Sequence, residues 1–202
     1  MTRPKHLATL AATALMAATL CACNSGGDGT ATATPSVTPS PTSASPSPTL
    51  SPEDVAVAAA EKKIPEYFAV EDQSLHDPEN FNLEDYKAVA ISSALIDLQN
   101  TYNAFVAQKF VQKGSTSIES MTNPRVDLEL DLTKSPPDVP TVQLDVCIDV
   151  SKVSAVNAAG ESQTPASRKP RQLWRVGVSN YEYPAPDQWR VSFTDTQGGK
   201  TC

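Results

Sequence analysis

The sequence predicts an α+β fold, with N-terminal helices packed on one face of a curved antiparallel sheet of about four strands. Between residues 52 and 110 apolar side chains recur at steps of three and four, the period of a helix with one buried stripe. Beyond Gly114 they alternate with polar ones, the period of a strand with one buried face. Helical segments followed by a run of strands place the helices on one side of an antiparallel sheet, whereas a strict alternation of the two would build a parallel one.

The first helix opens at Ser51-Pro52-Glu53-Asp54, which supplies a hydroxyl N-cap, a proline at the first helical position and two carboxylates at the positive end of the helix dipole. It continues from Val55 to Lys63, and Pro65 is expected to kink or end it, leaving Tyr67, Phe68 and Val70 to pack. A second helix begins at Asn82, with Asp85 three residues on as a capping-box variant. Leu95, Leu98, Tyr102, Phe105 or Val106, and Phe110 form its stripe, and Lys109, Lys113 and Gly114 mark its end. The segment 86–91 fits either that helix or a separate short one.

Val126, Leu128, Leu130 and Leu132 alternate with Asp127, Glu129 and Asp131 as a first strand, and residues 133–140 turn on three prolines. Val142, Leu144, Val146, Ile148 and Val150 alternate with Gln143, Asp145, Cys147 and Asp149 as a second strand, antiparallel to the first. Residues 158–170 read as a polar loop. A hairpin follows, Leu173 to Tyr183 and Gln188 to Thr196, turning on Pro184-Ala185-Pro186-Asp187. In it Trp174, Val176 and Val178 share one face, as do Trp189, Val191 and Phe193. The closing Gly198-Gly199-Lys200-Thr201 returns Cys202 toward Cys147.

The N-terminal residues carry an address. Arg3, Lys5 and His6 precede an uncharged run from Leu7 to Leu20, 14 residues, shorter than the roughly 20 needed to span a bilayer. Leu20-Cys21-Ala22-Cys23 resembles the lipobox of a bacterial lipoprotein signal, with Leu three residues before Cys23 and a small residue directly before it. Choosing Cys21 would put Leu20 where only a small side chain fits. The resemblance implies cleavage after residue 22, lipidation of Cys23 by two or three acyl chains at about 0.8 kcal/mol per buried methylene, and a protein held on the extracytoplasmic face of the cell membrane. Residues 1–22 are then the signal peptide, 23–51 the lipidated Cys and a Ser/Thr/Pro/Ala-rich tether, and 52–202 the domain. With a single charge, Asp28, residues 24–51 cannot bury a core. They predict a disordered, partly polyproline-II leash of up to roughly 90 Å, rich in sites for O-glycosylation.

The 202 residues hold 16 Lys+Arg against 23 Asp+Glu, a net charge of −7, which becomes −9 once Arg3 and Lys5 leave with the signal. That balance argues against nucleic acid as a partner. With Cys21 removed and Cys23 acylated, Cys147 and Cys202 are expected to pair as a disulfide in an oxidising compartment. Free thiols or a metal pair are the alternatives, for which His76, the one histidine after the signal, lies far away in sequence.

The region 51–202 resembles the NTF2-like (cystatin-like) domains of actinobacterial lipoproteins. The residues that carry the resemblance are Thr141 to Asp149, the late strand Gln188-Trp189-Arg190-Val191 and the closing Cys202. It implies a cone-shaped cavity between helices and sheet, and dimerisation through the sheet in some members. Some NTF2-like enzymes are isomerases or dehydratases that use an Asp or His base in that cavity. Here His76-Asp77-Pro78 reads as a loop, so the imidazole is missing there.

No catalytic, cofactor or metal motif stands out. Asp127, Glu129 and Asp131 could suggest calcium, but clean alternation without a Gly-containing loop favours a solvated sheet face. Asp145 and Asp149 flank Cys147 as a hydrophilic rim in preference to a catalytic pair. The expected function is a non-enzymatic, membrane-anchored module that binds a protein or a small apolar ligand. An accessory subunit of an envelope transport or conjugation-type complex is the alternative, and a cavity enzyme using a buried carboxylate comes third.

Overall fold

The structure is a computed structural model and describes residues 50–202. The expected signal peptide, Cys21, Cys23 and all but the end of the expected tether lie outside the described residues. Among the described residues the architecture is α+β, with three α-helices and two antiparallel sheets.

Helix α1 spans Pro52–His76. Its capping box is complete: Asp54 N–H donates to Ser51 Oγ at 3.1 Å, and the Asp54 carboxylate accepts from Ser51 N–H at 3.4 Å. The helix does not end at Pro65, contrary to the sequence expectation. Pro65 is exposed, so the hydrogen bond it removes, to the Glu61 carbonyl, is lost on the water-facing side. Ile64, Tyr67 and Phe68 are buried on the opposite side and hold both halves against the core.

A 3₁₀ turn at Leu83–Asp85, capped by Asn82 Oδ1 accepting from Glu84 N–H, leads into the short helix α2 (Tyr86–Val89). The 86–91 segment is therefore separate from the long helix α3 (Ser92–Gln108). Ala90 and Ile91 are extended because Ile91 N–H donates to the Val191 carbonyl at 2.8 Å. Helix α3 stops at Lys109, which takes a left-handed φ of 55°, while Phe110 N–H donates back to the Phe105 carbonyl. It ends before Gly114, and residues 111–113 form a strand that helical periodicity did not reveal.

That strand, β1 (Val111–Lys113), pairs with β4 (Ser154–Val156). The main sheet runs in the order β2 (Ser117–Asp127), β3 (Thr141–Asp149), β5 (Arg171–Ser179), β6 (Arg190–Thr196), every pair antiparallel. The first predicted strand is displaced: β2 begins nine residues before Val126 and ends at Asp127. Leu130 and Leu132 lie beyond it at 40% and 55% exposure, in a loop that Asp131 and Asp138 close with reciprocal backbone hydrogen bonds.

On the inner face Val142, Leu144, Val146, Val176, Val178 and Val191 meet Ile64, Tyr67, Phe68, Tyr86 and Leu98 from the helices. Each such burial contributes about 1.5–3 kcal/mol. The aromatic rings fill the space in which the family resemblance implies a cavity.

On the outer face Cys147 and Cys202 sit at disulfide geometry, with S–S 2.00 Å and Cα–Cα 5.9 Å. The tail reaches this position because Gln197 N–H donates to the Leu173 carbonyl and Leu173 N–H to the Lys200 carbonyl. Between those two bonds Gly198 and Gly199 adopt positive φ. A bridge of sequence separation 55 stabilises by about 3 to 5 kcal/mol on the chain-entropy estimate. Cys202→Ser should lower the urea-unfolding free energy by that order, and unchanged stability would show that the tail is held without the bond.

Candidate functional site

Strand β6 does not keep its alternation. Val191 stands opposite Val178 on the inner face, yet Phe193 stands opposite Gly177 on the outer one, so Ser192 is the extra residue of a β-bulge. The sequence placed Phe193 beside Val191, and the bulge overturns that reading. Room for the ring comes from the facing strand: a Cβ at Gly177 would lie 2.0 Å from a Phe193 ring atom. Phe193 therefore lies across the Gly177 backbone, half-buried, on the face that the helices leave open.

The groove built around it has a volume of about 530 Å³. Its floor is a hydroxyl row across three strands. Thr141 Oγ1 lies 2.8 Å from Ser179 Oγ, which lies 2.8 Å from Ser192 Oγ, and both serines are buried. Gln143 and Phe193 form one wall, Ser92 and Ser93 at the start of α3 another, and Arg125, Asp127 and the 137–139 loop the rim. Ser93 Oγ donates to the Ser192 carbonyl at 3.1 Å, tying the helix start to the bulge. Lys134 fixes the rim loop by donating to Glu129 and Asp138, and these partners hold the lysine pKa above its ordinary value. Asn180, fully buried, orders the β5–β6 turn by donating to the Ala185 carbonyl and accepting from Glu182 N–H. Tyr181, 44% exposed, stands at the junction with a second depression of about 270 Å³ lined by Ile91, Ser92, Gln188 and Arg190.

The carboxylates picked out in the sequence do not converge here. Asp127 Oδ1 accepts from Glu129 N–H and Asp131 Oδ1 from Thr133 N–H and Oγ1–H, so the triad folds into loop turns instead of one strand face. Hydrogen bonding to Thr133 lowers the Asp131 pKa. Among the described residues no three His, Cys, Asp or Glu side chains are grouped so as to hold a metal ion. Asp145 accepts from Asn123 and Arg175, contacts that depress its pKa, and Asp149 accepts from Ser151 N–H. Both carboxylates are thus engaged beside Cys147. His76 ends α1, not a loop, with its Nε2 2.7 Å from the Gly114 carbonyl oxygen.

The buried carboxylates belong to α1 and were not singled out in the sequence. Asp72 is structural, accepting from Gln112 Nε2, Thr116 N–H and Thr116 Oγ1, which pins the β1–β2 connection to the helix. Glu71 is half-buried by exposed area yet closely enclosed by packing. Desolvation, and then the neighbouring Asp72, raise its pKa to about 7. Desolvation likewise pushes Tyr86 up to about 12 and Tyr67 higher still, with Glu71 adding to both. Tyr86 Oη donates to Ser74 Oγ, which donates to the Glu71 carbonyl, so the cluster is a packed network. Glu71 lines neither the sheet groove nor the adjoining depression.

No family model and no curated protein matches the chain. The intermembrane space region of the chloroplast protein ARC6 is a structural neighbour at TM-score 0.44 and 8% identity, over 69% of this chain and 94% of that one, too slight a likeness to assign a fold family.

Two outcomes are expected. Gly177→Ala should cost about 1 to 3 kcal/mol through overpacking against Phe193, and a cycle with Phe193→Ala should recover most of it; additive effects would exclude the contact. For Glu71, a folded pKa of about 7 above the ordinary 4.5 favours the protonated form in the fold. The stabilisation it gives is complete below about pH 4.5 and lost as pH rises through 7. Discounted for partial exposure, Glu71→Gln should be more stable than the parent by about 1 to 2 kcal/mol at pH 8 and equal to it at pH 4.5. A difference independent of pH in urea titrations would refute the assignment.

Proposed function

We propose that this chain is an extracytoplasmic lipoprotein, anchored through Cys23, whose NTF2-like domain acts by binding through the open face of its sheet. The observation that carries the binding reading is the bulge at Ser192, which turns an aromatic ring and a buried hydroxyl out of the core into a solvent-facing groove. Strand bulges of this kind re-aim side chains at functional positions. The packed interior, with Tyr67, Phe68 and Tyr86 between helices and sheet, supports the sheet face over an internal apolar cavity. The same packing weighs against a cavity enzyme, since Glu71 is enclosed beside Tyr67 and Tyr86 and lines neither the sheet groove nor the adjoining depression.

A second reading, as an accessory subunit of an envelope complex, is favoured by a different feature. Tyr102, Phe105, Val106 and Phe110 line a trough of about 800 Å³ at the end of α3, with Val106 48% exposed. Aromatic and aliphatic side chains presented in this way suit a protein partner.

The anchor and the docking face are separately testable. Cys23→Ser should move the protein from the membrane fraction to the soluble one, and a variant that stays on the membrane would remove the lipid anchor from the proposal. A photo-crosslinker at Tyr181 should trap a discrete species on the envelope, while one at Lys62, exposed on α1, should not. Equal patterns from the two positions would exclude docking through the sheet face.

A further inference from the structure

We propose that the sheet groove binds a neutral carbohydrate chain, an inference that rests on reading this face as the binding face. The groove lies on β3, β5 and β6 at positions where the strands are already paired, so their N–H and C=O groups are engaged in the ladder. A peptide adding as a strand needs a free edge; β6 is an edge of the sheet, but beside the groove its Val191 and Ser192 carbonyls already accept from Ile91 N–H and Ser93 Oγ. Recognition falls to side chains, and these have the composition that a sugar requires: one aromatic ring and several neutral polar groups at fixed positions.

The hydrogen bookkeeping makes the floor an acceptor surface. Thr141 Oγ1 donates to the Val139 carbonyl at 2.7 Å, so in its contact with Ser179 the serine is the donor. Ser179 has then spent its proton, and Ser192 supplies the one between them, shared with the Gly177 carbonyl at 3.2 Å. Each hydroxyl carries a single proton and two lone pairs, so the row keeps acceptor capacity but has no donor left. Donors stand at the wall and rim: the Gln143 amide and the Arg125 guanidinium make no side-chain hydrogen bond among the described residues. Among the described residues the second carboxylate oxygen of Asp127 takes no hydrogen bond. A ligand that fits must bring donors and acceptors together on neighbouring atoms, as vicinal hydroxyls do.

Phe193 supplies the complementary half. Its ring is held against the Gly177 backbone, a fixed π-face against which the polarised C–H groups of a pyranose can pack. An apolar ligand would desolvate the Gln143 amide without giving it a partner, which is costly. An anion would meet Asp127 beside Arg125, so the rim has no net positive charge to hold it. The adjoining depression shares Ser92 with the groove and continues past Tyr181 to Gln188 and Arg190. That continuation suits a chain of more than one ring.

The test uses the full chain in detergent micelles and four neutral trisaccharides, chitotriose, cellotriose, maltotriose and mannotriose, each to about 10 mM, ten times a millimolar Kd. At least one should shift the Gln143 side-chain amide and the backbone resonances around Phe193 in NMR spectra. Phe193→Leu, which keeps an apolar side chain over Gly177, should weaken it about tenfold, as expected for loss of an aromatic contact. Gln143→Ala should weaken it as well, and Phe110→Ala in the distant trough should not. If no trisaccharide moves a groove resonance, or if binding survives Phe193→Leu unchanged, the carbohydrate assignment is wrong. Should the Tyr181 crosslink persist while all four sugars fail, the binding face stands and only the ligand class falls; loss of both rejects the two together.

Discussion

A β-strand presents successive side chains to opposite faces, so a strand that buries one residue can expose its second neighbour only by breaking the period. In β6 that break is Ser192. Val191 stays under the helices and Phe193 crosses to the open face, two residues on, because one unpaired residue has been inserted between them. The bulge is accommodated on both sides. Gly177 leaves a hole the ring can fill, and Ser192 Oγ bonds to Ser179 and to the Gly177 carbonyl, so the irregular backbone carries no stranded polar group. The Phe193 wall and the Ser192 end of the hydroxyl floor take their place from this one shift.

The helical layer makes such a departure tolerable. Tyr67 and Phe68 of α1, Tyr86 of α2 and Leu98 of α3 complete the inner face without Phe193. The junction between α2 and α3 is itself bonded to the bulged strand, through Ile91 N–H and the Val191 carbonyl. Ser93 Oγ then reaches the Ser192 carbonyl from the first turn of α3. The start of α3 is therefore joined to β6 at Val191 and at Ser192, and Ser92 and Ser93 become groove wall as a consequence of that packing.

The layer order, the central strand β3 and the β5–β6 hairpin were legible in the sequence because period and turn chemistry agree there. Thr141 to Asp149 alternates without interruption, and each inward residue is buried. The misread segments are those where tertiary contact outweighs local pattern. Pro65 is tolerated because its lost hydrogen bond faces water. Beyond Asp127 the alternation to Leu132 has strand period without a partner strand, since Asp127 and Asp131 bond to their own loop. Residues 117–125 pair despite carrying Pro124 and a positive φ at Asn123, features that hide a strand from propensity. For the groove, Gly177 facing an aromatic strand was the available signal. A glycine in the middle of a buried strand marks a bulge or a close approach.

The open face also shows why Phe193 is available at all. Two apolar side chains point outward from β5 and β6, and the chain treats them differently. Leu173, opposite Cys147, lies under the C-terminal tail, which bonds to its backbone on both sides and is tied down by Cys202. Between the two ends Asp145 and Arg175 pair across the strands and keep the middle of the face polar. At the far end, among the described residues, no segment crosses Phe193 in the same way; its ring rests on Gly177 and borders a groove. A sheet that needed only solubility could place a polar residue at 193 and keep β6 regular. Inserting Ser192, thinning β5 to glycine and leaving the ring at the edge of a groove are three coordinated departures from that simpler design, and the binding role proposed for this face would account for all three.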